Sequence, residues 1–225
     1  MRLGHSIELC AWTAGIASLG LYAMARISLE HERAAGIDAF REAQRSGIVS
    51  NAGPALARPA TPYTAEADQS LSSQQGISAF GIDAAARETP EAVLRIAALQ
   101  LDVPIYGGTS EVNLSRGAAH IEGTATLSHS GNIGIAAHRD GFFRKLKDIA
   151  IDDEVDLDVG DRTLRYRVVD ISIVSPSDVH VLAPTETPSL TLVTCYPFYF
   201  LGAAPERYIV RAELVPESLV AAERR

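Results

Sequence analysis

The chain has 225 residues and a formal net charge of -8, with 47% apolar and 21% charged residues. That composition supports a packed core and excludes wholesale disorder or a collagen-like repeat. It also lacks the basic excess of a duplex-binding protein, so no nucleic acid is expected as a partner.

The first element is an uncharged run, Leu9 to Ala25, bracketed by Glu8 and Arg26. Its length sits near the lower limit of about 17 residues for a spanning helix. Trp12 and Tyr22 stand near its ends, where interfacial aromatics belong. Residues 1–28 therefore read as an N-terminal transmembrane helix, a single-pass membrane anchor. A cleaved signal peptide, with Ala23-Met24-Ala25 imitating its processing site, and a buried core helix are the alternatives. Arg2 on one side and Arg26 and Arg33 on the other leave the orientation to be set by the rest of the chain.

Residues 29–90 read as a flexible spacer. Ser28 to Arg45 is polar with scattered apolar positions and is compatible with a continuing helix. From Ser46 to Thr89 the chain carries Pro54, Pro59 and Pro62, no lysine and little apolar periodicity. Such a segment has too little apolar surface to offset its ordering entropy.

Residues 91–225 carry strand signals. In Gln100 to Tyr106, Leu101, Val103 and Ile105 share a face, and Pro104 suggests a sheet edge. Asn132 to His138 reads as a short buried strand. Glu154 to Val159 alternates, Gly160-Asp161 is a hairpin turn signal, and Thr163 to Val174 returns. Leu190 to Cys195 and Arg207 to Val215 are two more strands. Short helical patches at 141–148 and 177–182 interrupt them. This spacing predicts an all-β closed or nearly closed barrel.

Two cysteines, Cys10 and Cys195, rule out a disulfide framework and a four-cysteine zinc site. With Cys10 in the candidate anchor, an exported domain would hold Cys195 as a lone thiol. Cys195 ends a β-branched strand and is followed by the aromatic turn Tyr196 to Phe200. His138 ends another buried strand, and histidine is the residue type suited to proton exchange with a thiol or amine near neutral pH. Arg207 offers a planar guanidinium to a developing oxyanion. Arg211, four residues on, is its rival but lies deeper in the strand. Among the other histidines, His120 reads as a structural hydrogen bonder, His129 as a solvated loop residue and His180 as surface. Arg139 is expected to pair with Asp140 or Asp148.

The acidic run from Asp152 to Asp158 alternates as a solvated strand face should and lacks an EF-hand pattern. No HExxH, paired-cysteine or Gly-rich phosphate motif occurs, so neither a metal nor another cofactor is expected.

Three tracts in order carry a family resemblance. TLVTC at 191–195 is similar to the TLxTC signature of sortases, the cysteine transpeptidases of bacterial surfaces. NIGIAAHRD at 132–140 resembles their histidine strand, and Arg207 falls where their arginine falls. The tracts HIEGTA, GFFRKLKDI and TLVTCYPFYFLGAAPERYIVRA look most like class D. The resemblance covers about residues 92–215 and implies an eight-stranded β-barrel. It implies that Cys195 attacks the threonine carbonyl of an LPxTG-like sorting signal on a surface protein, leaving a thioester. His138 would protonate the leaving amine, and Arg207 would hold the oxyanion. An amine acceptor such as a peptidoglycan precursor would then resolve the thioester. The catalytic domain would lie on the extracytoplasmic side of the cytoplasmic membrane. A surface thiol hydrolase with the same residues and a non-catalytic, membrane-anchored peptide-binding barrel are the competing readings.

Overall fold

The computed structural model describes residues 2–46, 89–127, 130–200, 202–216 and 220–221. A long helix, α1 (Arg2–Arg45), precedes the strands β1 (Ala92–Ile96), β2 (Leu101–Gly107), β3 (Ala118–His120), β4 (Asn132–Ala136), β5 (Glu154–Val159), β6 (Arg162–Val174), β7 (Ser189–Tyr196), β8 (Glu206–Leu214) and β9 (Val220–Ala221). A short helix, α2 (Glu111–Arg116), lies between β2 and β3. Tight 3-10 turns occupy Phe142–Asp148 and Val179–Leu182.

The strands follow the order β5-β1-β2-β3-β4-β7-β8-β6-β9, and β5 also pairs with β6. That pairing closes eight strands into a barrel and removes their edges, while β9 adds two residues beside Arg162 and Thr163. Closure depends on the length of β6. Its first half pairs with β5, its second half with β8, and the register shifts between Val168 and Asp170.

The interior follows from alternation. Ile133, Ile135, Leu190, Leu192, Val210 and Ala212 point into the main core with Leu157, Leu164 and Tyr166. Burial raises the Tyr166 phenol to about 12, because its charged form cannot be solvated there. The acidic face of β5 is held by cross-strand cations rather than left to solvent. Arg165 takes both carboxylate oxygens of Asp156 at 2.8 and 3.1 Å, and Arg95 reaches Asp158 at 2.6 Å.

Two expectations change. Pro104 is not at an edge, since β2 lies between β1 and β3. Proline is accommodated because β3 is short and its pairing with β2 begins only at Ile105. The expected spacer does not begin at residue 29. The helix continues to Arg45, Leu29 packs against the core, and Ile37 and Phe40 bury against Val93. Gly36 permits this contact, as a Cβ there would stand 2.7 Å from both Pro104 Cγ and the Tyr106 hydroxyl. Gln44 also donates to the Gly160 carbonyl. The remainder of the spacer, residues 47–88, lies outside the described residues.

The transmembrane helix is not confirmed. Among the described residues no helix is long and apolar enough to cross a membrane. The side chains of Leu9, Cys10 and Ala11, which begin the uncharged run, are outside that description. The run is thus one part of a longer helix whose later turns are docked on the barrel.

Candidate active site

The site is built on the outward face of three adjacent strands. Alternation that sends Ile135, Leu192 and Val210 inward sends Ala136, Val193 and Ile209 outward, where they pack with Leu114, Ala119 and Ile121. The β4–β7 pairing is parallel and sets Ala136 beside Val193. The ladder carries on past β4, with the Ala137 amide donating to the Val193 carbonyl at 3.3 Å. The Thr194 hydroxyl donates to the Ala137 carbonyl at 2.7 Å. Two residues further along this register, His138 comes opposite Cys195. On the other side, β7 and β8 pair antiparallel with Cys195 beside Arg207.

Cys195 and Arg207 are cross-strand neighbours on β7 and β8, and His138 follows two residues past the end of β4, so the three fall in one row at adjacent strand ends. Cys195 is 4% exposed and Arg207 is 8% exposed. Arg211 shares the strand face but stands beside Thr191, and its guanidinium lies 3.7 Å from Glu213. The registers set Cys195 beside Arg207, with His138 just beyond the end of the adjoining strand, and leave Arg211 outside the row.

Each member is held by its surroundings. The His138 carbonyl accepts from the amides of Gly141 and Phe143, both at 3.2 Å, and Phe143 is buried in the core. The Arg207 Nη1 donates to the carbonyls of Ala204 at 3.3 Å and Glu206 at 3.0 Å. Behind Cys195, Tyr196, Phe198 and Tyr208 form an aromatic cluster with centroids 5.1–6.1 Å apart. Burial, and then the nearby Tyr196, push the Tyr208 phenol up.

Arg139 does not pair with Asp140 or Asp148. Its Nη2 donates to the carbonyls of Phe200 and Gly202, each at 2.8 Å. It is 5% exposed, and burial makes carbonyl contacts more valuable than a solvated ion pair. The residue after His138 thus grips the loop after Cys195, tying the two strand ends together. His120 is a structural hydrogen bonder, 2.9 Å from the Ala125 carbonyl, and His180 is exposed. His129 lies outside the described residues.

One residue beside the row was not anticipated. Glu111 Oε2 stands 3.8 Å from His138 Nε2. Both Glu111 carboxylate oxygens are buried and have no hydrogen-bond partner among the described residues. Glu111 is the first residue of α2, whose N-cap Ser110 accepts from the Asn113 amide at 3.3 Å. The signal was present as Ser110-Glu111 ahead of Arg116-Gly117, a capped short helix with an acid in its first turn.

The outward strip continues from the row into a cleft of 170 Å3 between Ile121–Thr124 and Val179–Ala183. Gly134 lies at its base, where a Cβ would meet Thr124, Leu182 and Ile121 at 2.9–3.2 Å. Asn132 pins the cleft wall by donating to the carbonyls of Val181 and Ala183 at 3.1 Å. No group of acidic, histidine or cysteine side chains suited to a metal ion occurs among the described residues.

Comparison with known proteins gives the row a context. The family model "Sortase domain" matches residues 94–215. Sortase D of Bacillus subtilis is 31% identical over 124 residues, covering 55% of this chain and 63% of that protein. The chain thus spans less than two thirds of that relative's length. A Clostridium perfringens sortase D5 transpeptidase superposes with a TM-score of 0.51 at 28% identity, over 56% of this chain and 79% of that one. Sortase A of Corynebacterium diphtheriae superposes with a TM-score of 0.54 at 29% identity, over 59% and 65%. The resemblance to class D is carried by the first two.

Proposed function

The chain belongs to the sortase family, and from that membership we propose that it is a cysteine transpeptidase acting on sorting signals of surface proteins. The single observation that carries this reading is the row His138, Cys195 and Arg207, set side by side by the β4–β7 and β7–β8 registers.

In this mechanism the Cys195 thiolate attacks the carbonyl carbon of a threonine in an LPxTG-like signal, forming the C–S bond. The carbonyl oxygen becomes an oxyanion, and the Arg207 guanidinium turns from its backbone acceptors to donate to it. The His138 imidazolium gives its proton to the scissile nitrogen. The C–N bond breaks, the amine leaves and a thioester remains. An incoming primary amine then loses its proton to the neutral imidazole as it attacks the thioester. The new amide forms, and the thiolate is released. Glu111, 3.8 Å from the ring, acts through His138 as a positioning residue that holds the imidazole in place. The extended peptide would lie along the cleft at Gly134, where a backbone can approach closely.

The uncharged part of α1 serves as the membrane anchor, with the barrel on the extracytoplasmic side. Trp12, Ile16, Leu19, Leu21, Tyr22, Met24 and Ile27 are all more than half exposed in support of this reading. A run of exposed large apolar side chains signals a partner surface or a lipid phase.

The test is intact-protein mass measurement after mixing the full chain with an LPxTG-type peptide. A thioester at Cys195, resolved to an amide by an added amine, is the expected result. Release by water alone, unaffected by amines, would point to a hydrolase. Absence of any adduct would remove the catalytic reading.

A further inference from the structure

Beside α1 lies a second groove of 320 Å3 between the helix and the turn Phe142–Asp148. Its walls carry Arg26, Arg33, Arg144, Lys145 and Lys147, against Glu30 as the one lining carboxylate. Five cations lining one groove are notable in a chain of net charge -8. We propose that this groove seats the phosphates of an anionic phospholipid surface.

The turn is built to present charge. Phe142, Phe143 and Leu146 are buried and fasten it to the core, while Arg144, Lys145 and Lys147 are exposed. Local partners absorb part of this charge. Arg33 holds Glu30 at 2.7 Å, Lys147 holds Asp148 at 2.5 Å, and Lys145 donates to the Gln100 carbonyl at 2.7 Å. Neither Arg26 nor Arg144 is paired with a carboxylate among the described residues. The Arg144 guanidinium instead lies 5.2 Å above the Tyr199 ring.

The surroundings decide what kind of anion fits. Tyr22 lines the groove, and the exposed apolar turns of α1 lead directly into it. On the opposite flank Tyr199 is 70% exposed. Cations bordered by exposed aromatic and aliphatic side chains match a headgroup layer, where phosphate and acyl chain lie side by side. A soluble polyanion would meet the cations but gain nothing from the apolar rim, and the acidic remainder of the chain would repel it. A bilayer contact is local, within a Debye length of about 8 Å. This inference concerns the surface and does not depend on the catalytic reading.

The test compares binding of the full chain to phosphatidylcholine vesicles and to mixed phosphatidylcholine–phosphatidylglycerol vesicles by sedimentation. Each cation close to an anionic leaflet contributes about fivefold, so three unhindered cations predict about a 10²-fold preference for the anionic vesicles. Added salt should erase it. The variant Arg144→Glu/Lys145→Glu/Lys147→Glu should lose the preference and keep its phosphatidylcholine binding. The milder Arg26→Ser/Arg144→Ser should lose about an order of magnitude, which covers the case where charge reversal impairs folding. Equal affinity for the two vesicle types would overturn the proposal. So would a preference that survives in both variants.

Discussion

Strands β4, β7 and β8 have an inward and an outward face with opposite demands. Inward lie Ile133, Ile135, Leu190, Leu192, Val210 and Ala212, all apolar and fully or nearly buried. Outward lie the polar or reactive Asn132, His138, Thr191, Cys195, Arg207 and Arg211, interleaved with the apolar Ala136, Val193 and Ile209. The strand period of two lets one segment serve both roles without compromise, since adjacent residues never share a face. The inner face fixes where the outer face stands. A change on one should therefore alter stability, and a change on the other should alter chemistry.

The largest expected effect is on the outer face. Cys195→Ala should abolish thioester formation, read by intact mass. Its unfolding free energy should change little, because the substitution is small and sits at a strand end. Next, Arg207→Lys should slow single-turnover acylation by about 10²–10³, since lysine keeps the charge but not the fork. Arg211→Lys should be mild in the same assay. The reverse order would assign the oxyanion role to Arg211.

An inner substitution sharpens the contrast. Leu192→Ala should cost about 2–5 kcal/mol in denaturant unfolding. At temperatures where it stays folded, it should still form the thioester. Loss of chemistry in a folded Leu192→Ala protein would break the proposed independence of the two faces. Glu111→Gln is a smaller outer-face test. It should lower kcat by about tenfold, of the order of one charge-assisted contact, and leave KM nearly unchanged, with Glu111→Asp restoring part of the rate. A rise in KM alone would make Glu111 a substrate contact instead.

The smallest effect lies inside. The Tyr166 phenol is raised to about 12 and its hydroxyl has no hydrogen-bond partner among the described residues. A raised folded-state value means that stability is fully present below pH ~10. It is lost as pH climbs from there through about 12. Tyr166→Phe should change stability by less than about 1 kcal/mol at neutral pH and should flatten this alkaline loss, as followed by circular dichroism.

The inner face was legible in the sequence because alternation is a short-range signal. Val155, Leu157 and Val159 against Glu154, Asp156 and Asp158 define a strand without any tertiary knowledge. The row of His138, Cys195 and Arg207 was legible as three strand-end residues, since each tract carries its own pattern. Glu111 was not, because its approach to His138 is set by the docking of α2, which no local pattern encodes. Arg139 illustrates the same limit. Its sequence neighbours are acids, yet the fold offers it two carbonyls on a distant loop. The docking of α1 was also hidden, as Ile37, Phe40 and Ala43 look scattered until the barrel supplies a facing surface.

That docking changes the mechanical part left to the Pro/Ala-rich segment. A tether between an anchor and a domain sets how far the domain can roam. Here Gln44 is already bound to Gly160, and the Glu91 amide is bound to the Ile105 carbonyl at 2.8 Å. The chain is thus held to the barrel on both sides of residues 47–88, and the link from the uncharged part of α1 to the barrel is the helix itself. Working height would be set by the helical strut, rising about 1.5 Å per residue between Leu29 and whatever holds its far end. Doubling a segment held at both ends costs only about 0.6 kcal/mol in closure entropy. Length changes in that segment would then leave the thiol in place, whereas with the proposed anchor an insertion of a few residues before Leu29 would lift and rotate the whole barrel.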